Sequence, residues 1–178
     1  IEFKENVTKY ENELIAYVIK KIQELIKTIK PSKKVLIAFD GVAPIAKLQQ
    51  QKTRRYKSMY INKIIDKLEI NTDNKWDKTA ITPGTKFMAK LGLKIAKKFS
   101  TNKKIIVSAT DEEGEGEHKI FNFIRTNPEK HLTETTIIYG LDADLIMLCL
   151  NNMDVCPNIY IYRETPEFIK SLNYNLEP

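Results

Sequence analysis

Cysteine is scarce in this chain of 178 residues. There are two, and neither Cys149, within an apolar run, nor Cys156, beside Pro157, has a second cysteine or a histidine at zinc-ligand spacing. That argues against a disulfide framework and against a structural zinc site, and both residues are expected to be reduced, structural thiols. Long apolar runs are lacking as well. None approaches the roughly 18 residues needed for a bilayer span, and the opening stretch IEFKENVTKYENEL is too polar for a signal peptide. The chain therefore reads as soluble and intracellular, cytoplasmic or nuclear, with no membrane partner, and its Asn6-Val7-Thr8 sequon as chance. Internal repeats and low-complexity tracts are absent. The first residue is Ile, so the chain is expected to be a processed product or an excised piece of something longer.

What is present is enough apolar residue, 42%, for one well-buried core, and one domain over 1–178 is the expectation. Lys and Arg number 29 against 23 Asp and Glu, a net charge of +6. Residues 45–67 alone hold seven Lys/Arg against Asp66, so the basicity is one patch and the remainder is neutral. Such a patch is the electrostatic footprint of a polyanion, nucleic acid first, although a solvated helix face reads the same way.

Val7, Tyr10, Leu14, Val18, Ile22, Leu25 and Ile29 step by three and four, predicting an amphipathic helix over 5–30 that ends before Pro31. KKVLIAF (33–39), KKIIVSA (103–109), ETTIIYG (134–140) and NIYIYRE (158–164) read as strands. A basic helix is predicted over 45–69 and a polar turn over 70–81. A further helix runs to residue 99, with Thr82 as its cap and Pro83 in its first position, and two more cover 115–125 and 143–151. Strands alternating with helices predict an α/β fold, a three-layer α/β/α domain around a mainly parallel sheet.

Against this pattern the acidic residues are not scattered. Asp40 ends the first strand, the run 111–117 with its five acids follows the second, and Asp142 and Asp144 follow the third. Carboxyl ends of parallel strands share one edge, where active sites form, so the acids are expected to meet there. Converging carboxylates need cations or protons between them, and all-oxygen ligands favour Mg²⁺ or Mn²⁺. Glu115-Gly116-Glu117 and Asp142-Ala143-Asp144 repeat an acid-small-acid pattern in which the small residue leaves room for metal, water and substrate. Each pair taken alone reads equally as a helix cap. Lys47, Gln51, Arg54, Arg55 and Ser58 share one face of the basic helix, with Leu48, Tyr56, Met59, Ile64 and Leu68 left for packing. A cationic face beside a metal-carboxylate edge suits a phosphodiester.

IAFDGVAPIAKLQQQKTRRYKS, ITPGTKFM, EGEGEHKIFNFIR, YGLDADLIMLCL and the late YRE occur in an order that resembles the XRN family of 5′-to-3′ exoribonucleases. The resemblance covers nearly the whole chain. It implies a metal-dependent nuclease of the flap-nuclease/PIN-like α/β class that degrades single-stranded RNA bearing a 5′-monophosphate, using Mg²⁺ or Mn²⁺, two ions in the complete enzyme. The implied catalytic metal ligands are Asp40, Glu115, Glu117, Asp142 and Asp144, and the implied 5′-phosphate pocket is Lys47, Gln51, Arg54 and Arg55. Two features of the family have no match here: an earlier strand with Asp then Asn, and a later Asp-bearing motif. Ile45 stands where Arg is common after DGVAP, and Glu113 where Pro is usual. The isolated chain is accordingly expected to be weakly active or inactive, and the remainder of its own nuclease domain is an implied partner. His118 reads as structural, Trp76 as a base-stacking, packing or lid residue, and Asp111, Glu112 and Glu113 as a solvated rim. The rival functions are a structure-specific flap/PIN-like endonuclease and a non-catalytic module that binds 5′-phosphorylated RNA.

Overall fold

The computed structural model describes residues 6–42, 44–68 and 76–164. Of the polar turn expected over 70–81, the part before Trp76 lies outside the described residues, as do residue 5 and residue 69 at the ends of two predicted helices. The described elements are α1 (Val7–Ile29), β1 (Val35–Ala38), α2 (Ile45–Lys67), a 3₁₀ turn (Lys78–Ala80), α3 (Lys86–Phe99), β2 (Ile105–Ser108), α4 (Gly116–Arg125), α5 (Pro128–His131), β3 (Thr136–Tyr139), α6 (Asp144–Leu150) and β4 (Ile159–Tyr162). The α/β class is therefore as the residue pattern predicts. Pairing is parallel in both ladders, β1 with β2 (Val35 opposite Ile105) and β3 with β4 (Thr136 opposite Ile159). The described strands thus form two two-stranded sheets. Contacts group the chain into two compact units, Ile1–Lys119 and Ile120–Pro178, each with its own core. No helix among the described residues is long and apolar enough to cross a membrane.

In the first unit, Ile15, Phe87, Met88, Leu91, Ile95 and Phe99 are buried against Ile37 of β1 and Ile105 and Val107 of β2. Helix α1 begins where Asn6 accepts the amide N–H of Lys9 and ends where Lys30 turns left-handed, at φ 51°. Its packed face runs through Leu14, Ile15, Val18, Ile19, Ile22 and Ile26. The predicted stripe is thus rotated toward Ile15 and Ile19, and Val7 at its start is exposed. Trp76 lies in this core, 5.5 Å from the Tyr10 ring and 5.1 Å from Phe87, which selects packing over base stacking.

Two expectations need correction. Thr82 does not cap α3 and Pro83 is not its first residue, because the chain turns through Gly84 at φ 85° and Thr85 becomes the cap, accepting the Met88 N–H. On α2, the residues assigned to packing are exposed: Leu48, Tyr56, Met59, Ile64 and Leu68. They spread over more than half of the helix circumference at about 100° per residue, so they form no stripe. The half-buried positions among its described side chains are Gln51, Ser58 and Ile65, on the same face as Lys47.

In the second unit, Phe121 and Ile124 of α4 pack with Ile138, Leu145 and Cys149 of β3 and α6, and with Cys156. Both cysteines are free and buried, as expected of structural thiols.

Candidate active site

The loop after β1 and the loop after β2 are locked together by backbone. Gly41 N–H donates to the Gly114 carbonyl at 2.8 Å, and Gly114 N–H donates to the Val42 carbonyl at 3.0 Å. The approach is close enough that a Cβ on Gly41 would lie 1.6 Å from the Glu112 carbonyl oxygen. Gly114 itself sits at φ 91°, a conformation that favours glycine. Asp40 then reaches across and accepts the Gly116 N–H at 2.7 Å, capping the start of α4 from the neighbouring strand. The small residue in Glu115-Gly116-Glu117 serves this approach, since a Cβ there would meet the Ala38 carbonyl oxygen at 3.1 Å and Asp40 Oδ1 at 3.3 Å.

Lys119, unmarked by any local pattern, fastens the same corner. Its ammonium donates to the carbonyls of Phe39 (2.9 Å) and Ala109 (2.8 Å), one beyond the end of each strand. Burial pushes its pKa below the ordinary lysine value, while Glu112, Asp111 and Asp40 pull it back up.

Asp40, Glu115 and Glu117 are thereby gathered at the carboxyl ends of β1 and β2. Glu115 is buried, Glu117 half-buried and Asp40 exposed. Carboxylate oxygens of Glu115 and Glu117 and a ring nitrogen of His118 lie within 4.8 Å of one another. His118 Nδ1 is 3.4 Å from Glu115 and 4.0 Å from Glu117. A buried carboxylate beside a second one, with an imidazole nitrogen at hand, could hold a metal ion. His118, read from sequence as structural, is thus close enough to belong to the same cluster.

The basic helix starts at this corner. Lys47, in the first turn of α2, donates to the buried Glu115 carboxylate. That hydrogen bond, followed by the charges of Glu115, Glu117 and Asp40, raises the Lys47 pKa despite some desolvation. Gln51 is half-buried, whereas Arg54 and Arg55 are exposed. Of the acids expected to form a solvated rim, Asp111, Glu112 and Glu113 are all exposed, and Glu112 also accepts the Ser108 hydroxyl.

Asp142 and Asp144 belong to the second unit and follow β3 as Asp40 follows β1. Both are exposed, and Asp142 Oδ1 accepts the Asp144 N–H at 3.2 Å, while Ala143, which has no side-chain acceptor, holds the cap position of α6. The late YRE segment braces this loop: Arg163 donates to the Leu141 carbonyl at 3.2 Å, and the Tyr139 hydroxyl donates to Glu164 at 3.3 Å.

The family model described as the XRN 5′-3′ exonuclease N-terminus matches residues 2–165. The chain belongs to this family. Among its XRN relatives, the 5′-3′ exoribonuclease 1 of Saccharomyces cerevisiae is 42% identical over 92% of this chain. The human 5′-3′ exoribonuclease 1 is 43% identical over 74% of it, and the 5′-3′ exoribonuclease 2 of Candida glabrata is 37% identical over 86%. The chain spans 12%, 9% and 18% of these three relatives. Its mixed α/β build with short parallel strands is consistent with the XRN N-terminal nuclease fold.

Proposed function

We propose that this chain is part of a metal-dependent 5′-to-3′ exoribonuclease acting inside the cell on RNA with a 5′-monophosphate. The observation that carries the reading is the meeting of α2 with the acidic pair: the helix bearing Lys47, Gln51, Arg54 and Arg55 starts against Glu115. A site that only capped helices would not bring a cationic face to its buried carboxylate, and a site that only bound RNA would gain nothing from carboxylates beside a polyanion. Relatives named 5′-3′ exoribonucleases support the same activity.

In this reading Lys47, Gln51, Arg54 and Arg55 hold the terminal phosphate. A monophosphate carries more charge than an internal diester, so guanidinium forks select it over a 5′-hydroxyl. Asp40, Glu115 and Glu117 of the first unit would hold a cation, and Asp142 and Asp144 of the second unit keep the metal-ligand role that the resemblance implies. Bound there, two Mg²⁺ or Mn²⁺ ions would supply an activated water and stabilise the leaving oxygen. Lys119 and the Gly41–Gly114 contacts keep the Asp40 and Glu115 backbones in register while substrate charge approaches.

The test is mononucleotide release by the full-length polypeptide from 5′-phosphate, 5′-hydroxyl and capped RNAs. Asp142→Ala should lower turnover about 100-fold or more, as expected when a group that stabilises transition-state charge is removed. Arg54→Ala should cost about 10-fold to 100-fold on 5′-phosphate RNA, the worth of charged hydrogen bonds, and little on 5′-hydroxyl RNA. Unchanged activity in Asp142→Ala would sink the metal assignment, and cutting of a hairpin with no free 5′-phosphate would favour the flap/PIN-like endonuclease instead.

A further inference from the structure

Lys47 and Glu115 carry separate assignments, one to phosphate and the other to metal, yet the structure joins them to each other. Glu115 is only 7% exposed, and removing a partner from a buried ion pair is costly. Among the described residues, the lysine that reaches it is Lys47, whose side chain is 45% exposed and stands on the first turn of a helix exposed over most of its described length. One partner is therefore fixed and the other can leave. The long lysine stem lets the ammonium swing from the carboxylate to solvent without moving the backbone. Glu117 and the more than half-exposed His118 ring lie beside the same carboxylate, with His118 Nδ1 at 3.4 Å from it.

We infer that Lys47 is an internal counter-ion that a divalent cation must displace from Glu115, so that filling the acidic cluster releases the ammonium toward the substrate phosphate. This rests on the metal reading above and deepens it by giving the two ligands an order: the cation first, the phosphate-bearing RNA second. Until the cluster is filled, the first phosphate ligand of α2 is occupied within the protein. Once it is filled, the ammonium is repelled by the new charge and becomes available to an anion at the same corner. The apparent metal affinity is then reduced by the fraction of molecules in which the pair is closed.

The test is calorimetric titration of the full-length polypeptide with Mg²⁺, without RNA and at fixed ionic strength. If the pair is closed nine times in ten, Lys47→Met should bind Mg²⁺ about tenfold more tightly than the unsubstituted protein, with Lys47→Gln close behind it. Lys47→Arg, which keeps a cation there, should not tighten binding. Lys52→Met removes the same charge from the next turns of α2 without touching Glu115, and should change affinity less than twofold. Equal tightening by Lys52→Met would reduce the effect to general charge and overturn the inference. So would unchanged or weaker Mg²⁺ binding in folded Lys47→Met and Lys47→Gln. Glu115→Gln separates the two levels of the reading: weakened Mg²⁺ binding there, together with no tightening at Lys47, overturns the counter-ion alone. Mg²⁺ binding untouched by Glu115→Gln overturns the metal site and the counter-ion together.

Discussion

At Gly41 a single added methyl would lie 1.6 Å from a backbone carbonyl oxygen, and backbone cannot step aside as a side-chain end can. Gly41→Ala should therefore force the 40–42 and 112–114 loops apart and destabilise the first unit by about 2–4 kcal/mol, in the upper range of single substitutions. Denaturant unfolding measures this, and a loss under about 0.5 kcal/mol, the level of a neutral surface change, would contradict it. From sequence, Gly41 reads only as the punctuation after a strand, because the neighbour that demands glycine lies some 70 residues away. Lys119 was hidden for the same reason, since nothing local says that an ammonium will bridge two strand ends. His131 offers a pH test. Its Nδ1 is 2.8 Å from the Thr136 hydroxyl, and burial holds its pKa below the ordinary 6.5, with Glu134 opposing and Lys130 adding to the shift. The unfolded chain then takes up the proton first as pH falls, so stability is lost through pH 6.5 and levels off below the folded value. His131→Gln should remove that contribution, and urea midpoints at pH 7.5 and 5.5 should differ less for the variant than for the parent.

Among the elements, α3 and α2 show how far local pattern reaches. Helix α3 was legible because Phe87, Met88, Leu91, Ile95 and Phe99 recur at helical spacing and all are buried. Its start was not, because the stretch Thr82-Pro83-Gly84-Thr85 offers two threonines that could cap. The choice falls to Thr85 since its one hydroxyl proton is shared between the Ala80 and Thr82 carbonyls, both within reach, while its oxygen accepts the Met88 N–H. Thr85→Ala should cost about 1–2 kcal/mol by loss of the cap, whereas Thr82→Ala loses only a hydroxyl bond to the Thr79 carbonyl and should cost less. Reversal of that order in thermal unfolding would count against the cap. Helix α2 was legible as a helix and as a cationic face, but its packing side was misassigned. Apolar residues around most of its circumference leave no stripe for sequence to read. Its half-buried positions, Gln51 and Ser58, are polar residues that share the Lys47 face.

For the whole molecule, the decisive quantity is where the charge sits. The net charge of +6 is carried by residues 45–67, and at the start of that segment the cationic face meets the buried acid of the candidate site. The acids themselves were legible as one class because each follows a strand. Within the first unit, Asp40 meets Glu115 and Glu117 through the contact of two loops some 70 residues apart, which no spacing encodes. Charge distribution does yield a test that is independent of chemistry. Binding of a single strand releases about 0.7 counterions per phosphate neutralised, so affinity for single-stranded RNA should fall linearly on a log-log plot against salt. Lys52→Gln, Lys57→Gln and Lys63→Gln together remove three exposed charges from α2. If RNA follows this helix beyond its terminal phosphate, the slope should become shallower by about 2, with the thermal midpoint little changed. The same number of charges removed from α3 and its end, at Lys94, Lys97 and Lys98, should leave the slope nearly as it was. A slope that responds equally to both triple variants would mean that RNA senses net charge rather than this helix, and the basic face of α2 would then be a solvated surface.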